Sequence, residues 1–181
     1  MTRSGRRLIL GWILVACWPS DGLAQAGASD LDDYFRAVSD YFDVGLGEVR
    51  IISEWRVAPE DVPVVLFLSR SAGISADAAA AERARGSSWL GLMRRYGVRV
   101  SAVHLNFASG AELGSLAPLY GRMEETPRGA WNRLDLSDGE ITTLINVRVL
   151  SSALGVPPSR IVEAADAAGS MVGVQRALGG G

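Results

Sequence analysis

Apolar positions recur along most of this chain at helical rather than strand spacing. Leu31, Tyr34, Phe35, Val38, Tyr41 and Phe42 fall at offsets 0, 3, 4, 7, 10 and 11 and mark one face of a helix. Ser29 stands ahead of them as a cap, with Asp32 three residues on. A second helix is expected over Leu46–Arg56, burying Val49, Ile52 and Trp55, and Pro59 closes that unit. Trp89, Leu92, Met93 and Tyr96 repeat the pattern, as do Ile141, Leu144, Ile145 and Arg148 behind the cap Ser137-Asp138. Ser75 and Ser87 are expected to cap helices separated by Gly86. Pro157-Pro158 opens one more helix that Gly169 ends, after which Met171, Val174 and Leu178 face inward.

Val62–Leu68 is the ambiguous segment. Its unbroken apolar run suits a buried strand, and a strand there, a helix from Ser75 and a strand at Val98–Leu105 would form a βαβ unit over 62–105. A repeat favours a helix instead. Leu68–Ile74 parallels Leu150–Val156, Gly86–Trp89 parallels Gly169–Val172, and Arg94–Gly97 parallels Arg176–Gly179. Tyr41–Val44, followed by Gly47–Val49, is a shorter third copy. The expected fold is therefore all-α: a small multi-helix domain with a duplicated three-helix unit and a long central loop. Its parts are an N-terminal helix pair (30–58), repeat 1 (60–97), the loop (107–136), repeat 2 (137–178) and a flexible tail (179–181).

The first 26 residues follow a different pattern. Arg3, Arg6 and Arg7 precede an apolar run from Leu8 to Trp18, and Ala24-Gln25-Ala26 offers small residues at a cleavage site. This is the layout of a secretory signal peptide cleaved after Ala26. Leu14-Val15-Ala16-Cys17 also fits a lipoprotein cleavage box, and acylation at Cys17 would anchor the chain to a membrane. The expected location is periplasmic or extracellular, with a membrane-anchored lipoprotein as the alternative. No later segment of the mature chain is expected to span a bilayer.

Export narrows the chemistry. Removing the leader takes three of the 18 basic and one of the 20 acidic residues, leaving a net charge of about −4. Nucleic acid is a poor partner for such a surface. Leu154–Val162 resembles a helix-turn-helix corner, but its second helix would present Glu163 and Asp166 beside a single Arg160. Cys17 is the only cysteine, so cleavage after Ala26 leaves no disulfide or thiol chemistry.

Motifs for chemistry are sparse. His104 is the only histidine, which argues against a multi-histidine zinc site. Ser101, three residues before it, lacks the orienting acid and nucleophile elbow of a triad. The glycines at 45, 47, 110 and 114 lack a dinucleotide-binding context, and Asp30–Asp33 lacks the glycine and terminal glutamate of a calcium loop. No catalytic, cofactor or metal residue is assigned. The segment 107–136 carries Tyr120, Arg128 and Trp131 as candidate binding residues. Its acids Glu112, Glu124, Glu125 and Asp135 are available as carboxylates for a glycan hydrolase.

Tyr41-Phe42…Glu48-Val49, Pro63–Phe67, Gly86–Trp89, Pro118–Gly121 and Leu136-Ser137-Asp138…Asn146…Arg148 together resemble a group of small exported bacterial proteins without assigned activity. That resemblance implies a helical fold and an envelope location and carries over no catalytic residue. Ala78–Ala81 departs from it, standing where larger apolar residues are expected. The leading expectation is a non-enzymatic module that binds another envelope protein; the alternative is a small envelope hydrolase.

Overall fold

Nine α-helices and no strands make up the fold among the described residues. The computed structural model describes the backbone of residues 21–179 and the side chains of residues 27–178. Cys17 and the rest of residues 1–20 lie outside that range, as do residues 180 and 181. The expected cleavage point after Ala26 falls within the first turns of α1.

The N-terminal pair is α1 (Asp21–Phe42) and α2 (Leu46–Glu54). Its predicted apolar face holds: Tyr34, Phe35, Val38 and Phe42 are buried, with Leu31 and Tyr41 partly so. The cap expected at Ser29 is corrected, because α1 already runs through that residue. Trp55 is also corrected. It ends α2, Arg56 beyond it takes the left-handed φ of 59°, and the indole is left 37% exposed; Val57 is buried instead.

Val62–Ala72 forms α3, so the ambiguous segment is a helix and the βαβ alternative falls. Pro63 sits in its first turn, where a missing N–H costs no intrahelical bond. The helices α4 (Ala76–Ala84) and α5 (Trp89–Arg95) follow, and Ser88 rather than Ser87 caps α5 by accepting from Gly91 N. Later come α7 (Asp138–Leu154), α8 (Pro158–Ala168) and α9 (Met171–Gly179). Ser137 and Glu140 build a reciprocal capping box on α7. Gly179, expected in a flexible tail, is the last residue of α9.

Three helix corners share one construction. Ser39, Ser69 and Ser151 each donate a side-chain hydrogen bond to the carbonyl five residues on, at Val44 (2.6 Å), Ile74 (2.7 Å) and Val156 (2.5 Å). The residue between, Asp43, Gly73 or Gly155, takes a positive φ of 46°, 67° or 65°. In each corner the next helix begins seven residues after the serine, at Leu46, Ala76 or Pro158.

The segment 107–136 is more ordered than the expected loop. It contains α6 (Ala117–Glu125) and 3₁₀ helices at 114–116 and 128–133. Pro118 lies in the first turn of α6, and Leu119, Tyr120 and Met123 form its buried face, so the glycines and prolines punctuate helices rather than preventing them. At the centre of the molecule α7 packs against α1, α3, α5, α8 and α9. No helix among the described residues is long and apolar enough to cross a membrane.

Candidate functional site

The three residues singled out in the central segment come together. Tyr120 on α6, with Arg128 and Trp131 on the following 3₁₀ helix, line a cleft of about 700 Å³ facing the irregular stretch 104–113. His104, Phe107 and Glu124 join the lining. The His104 ring lies 4.8 Å from that of Trp131 and 5.5 Å from that of Tyr120. Phe107 meets Tyr120 edge-on at 5.0 Å, and the Arg128 guanidinium sits 5.3 Å from the Trp131 ring centre.

The aromatic residues divide their duties. The Tyr120 hydroxyl donates to Leu105 O (2.8 Å) and accepts from Leu105 N (3.0 Å), fastening the irregular stretch to α6. Trp131 Nε1 donates to Met123 O (3.1 Å) and Thr126 O (3.0 Å). Both polar handles are thus spent on structure, and both rings are buried. Among the described residues neither the His104 imidazole nor the Arg128 guanidinium has a hydrogen-bond or ion-pair partner. Arg148 supports the site from behind, donating to Ala102 O and His104 O, each at 2.9 Å.

The electrostatics follow from this placement. Partial burial, with the nearby charges of Arg128 and Arg148, pushes the His104 imidazole below its usual 6.5 and favours the neutral ring. Burial raises the Tyr120 hydroxyl despite its bond to Leu105 and the proximity of Arg148. Ser101 is exposed in the 3₁₀ turn 100–102 and does not line the cleft with His104.

No protein-family model, curated protein or solved structure matches this chain.

A second cleft, of about 500 Å³, was not anticipated from sequence. Glu60, Asp61, Asp138 and Asp166 give it an acidic lining, with Arg83 the one basic residue. Each of those acids already holds another element in place. Asp61 Oδ1 accepts from Trp89 Nε1 (3.0 Å) and Thr142 Oγ1 (2.8 Å), while Arg83 Nε lies 3.4 Å from its other oxygen. Asp138 accepts from Trp89 N (2.7 Å) at the start of α5 and pairs with Arg83, which lies over the Trp89 ring. Glu60 accepts from Met171 N (2.6 Å) at the start of α9, and Asp166 accepts from Ser115 N (2.8 Å). Carboxylates are favoured at such helix starts because they satisfy orphan N–H groups.

Beneath them Asn146, fully buried, accepts from the Tyr34 hydroxyl and donates to Glu60 O (2.8 Å) and Thr142 O (2.9 Å). Burial, then the charges of Glu60 and Asp61, holds the Tyr34 hydroxyl well above its usual range. Tyr34 and the Glu60 carbonyl lie 112 and 86 residues from Asn146, and no local pattern announces them.

The hydrolase carboxylates are not brought to one place. Glu124 lines the first cleft, whereas Glu125 and Asp135 are exposed and line neither of the two clefts. Glu112 is likewise exposed outside both.

Proposed function

We propose that this chain is an exported cell-envelope protein acting as a non-catalytic binding module, with the cleft between α6 and residues 104–113 as its recognition surface. The observation that carries the reading is the division of polar groups. In the acidic cleft each carboxylate has a structural partner, while in the aromatic cleft His104 and Arg128 are unspent. A concave cleft in which aromatic side chains meet free polar groups is a form that ligand sites take. Export is supported by the leader pattern, with cleavage after Ala26 or lipidation at Cys17 as its two routes, and N-terminal mass spectrometry of the mature protein separates them. The shared construction of the corners at Gly73 and Gly155 supports reading α3–α5 and α7–α9 as a structural duplication.

The partner is proposed to be another envelope protein. Affinity capture with a C-terminally tagged copy from the native envelope tests the module. A stoichiometric component should be retained by the wild type and lost with Phe107→Ala or Arg128→Glu, both at the cleft and both expected to keep the helical spectrum. Equal retention by all three would overturn the assignment of the cleft. Peptidoglycan hydrolysis that disappears with Glu124→Gln, Glu125→Gln or Asp135→Asn would instead establish the hydrolase alternative.

A further inference from the structure

Building on that reading of the same cleft, we propose that its ligand is a compact organic carboxylate joined to an aromatic or aliphatic body. The lining supplies the two halves of that description. Phe107, only partly buried, gives the cleft its accessible aromatic surface, over the buried rings of Tyr120 and Trp131. The side chains of Asn106, Ser109, Thr126 and Glu124 contribute to the polar lining. The unspent nitrogen donors with charge or a ring N–H are the Arg128 guanidinium and the His104 imidazole, a fork of donors beside a single ring N–H. Their common complement is a carboxylate, which accepts two parallel bonds from Arg and a third from a neighbouring donor.

Other ligand classes fit less well. A sugar needs an open aromatic face to lie on, but Trp131 is 6% exposed, with His104 and Arg128 against it. A cation would approach Arg128 with Arg148 close behind. A phosphate dianion would bring a second negative charge toward Glu124, with only one free guanidinium in the lining to balance it. The cleft volume, about 700 Å³, is in the range of small-molecule sites and exceeds what one carboxylate-bearing residue fills.

The chemistry could arrive as a free acid or as the C-terminal residue of a polypeptide. Three probes separate these: 3-phenylpropionate, N-acetyl-phenylalanine and the neutral N-acetyl-phenylalaninamide. Because His104 is the only histidine, full-length protein carrying isotope-labelled histidine and no histidine tag gives one imidazole reporter inside the cleft. At least one acid should move that resonance saturably, with the amide binding roughly tenfold more weakly or not at all. Preference for N-acetyl-phenylalanine would point to a chain end, and equal binding of both acids to a free acid. Arg128→Gln should weaken the acid at least about fivefold, and Glu124→Gln should strengthen it about twofold by removing a like charge. The second variant keeps the test decisive if the first perturbs the fold.

No saturable shift with either acid, or an amide that binds as well as the acids, overturns the ligand class. If capture from the envelope still depends on Arg128 under those circumstances, only the ligand class is wrong. If capture is also indifferent to Arg128, the binding-module reading of this cleft falls with it.

Discussion

Tyr120→Phe removes one oxygen atom and with it the fastening of the cleft wall. In the wild type that hydroxyl serves both Leu105 N (3.0 Å) and Leu105 O (2.8 Å), and Leu105 is only 7% exposed. A buried donor left unpaired costs about 1–3 kcal/mol, and the carbonyl, which keeps a second lone pair, adds about 1 kcal/mol. The ring itself stays, so its contacts with His104 and Phe107 are conserved and little packing energy is lost. The expected loss is therefore about 2–4 kcal/mol by urea unfolding followed in the far-ultraviolet. Amide exchange should locate it, with Leu105 N–H losing protection while the amides of α7 keep theirs in proportion to global stability. Tyr96→Phe is the control, since its hydroxyl has no partner among the described residues; it should stay within about 0.5 kcal/mol. A Tyr120→Phe loss below about 0.5 kcal/mol with unchanged Leu105 protection would refute the fastening.

The remaining expectations concern the core, the corners and pH. Asn146→Leu should cost about 3 kcal/mol, because it orphans the buried Tyr34 hydroxyl and the Glu60 carbonyl, and Tyr34→Phe about 1–3 kcal/mol. Their double variant in urea unfolding should cost about 1 kcal/mol less than the sum; strict additivity would deny the bond. Gly155→Ala should destabilise by about 1–2 kcal/mol, since φ is 65° there, whereas Asp43→Gly at φ 46° should be neutral or stabilising. For His104 the folded state disfavours the proton, so the unfolded chain binds more protons between the lowered pKa and the usual 6.5. Stability should thus be fully present above about 6.5 and fall as pH drops through that window, and His104→Gln should flatten the curve there. An unchanged slope in the variant would assign the titration elsewhere.

Much of the helical framework was legible because periodicity is a local property. The faces of α1, α5 and α7 were each readable from apolar spacing, and the corner at Gly73 repeats in letters what it repeats in geometry at Gly155. Errors arose where a helix end or a distant partner decided the outcome. Trp55 follows the spacing of Ile52 but sits beyond the last turn of α2, where the backbone swings it outward. Helix α6 was hidden by glycines and prolines that lie at tolerated positions.

The candidate site divides the same way. Tyr120, Arg128 and Trp131 were found as the conspicuous side chains of one segment, but two of them turned out to fasten structure. His104, set aside as a lone histidine without a triad, becomes a wall of the cleft only through folding. The Asp61 network was invisible, since its bonds reach 28 residues to Trp89 and 81 to Thr142. Such contacts leave no periodic trace in one sequence.

The cleft between α6 and residues 104–113 is proposed to be where this protein meets its partner. Hydrogen exchange by mass spectrometry, on the full chain with and without any component retained in the proposed capture experiment, is the decisive measurement. Protection should appear in peptides covering 104–113 and 126–131 and leave α2 unchanged. Protection confined to α2, around the exposed Ile51 and Trp55, would contradict the account and move the functional surface to that helix.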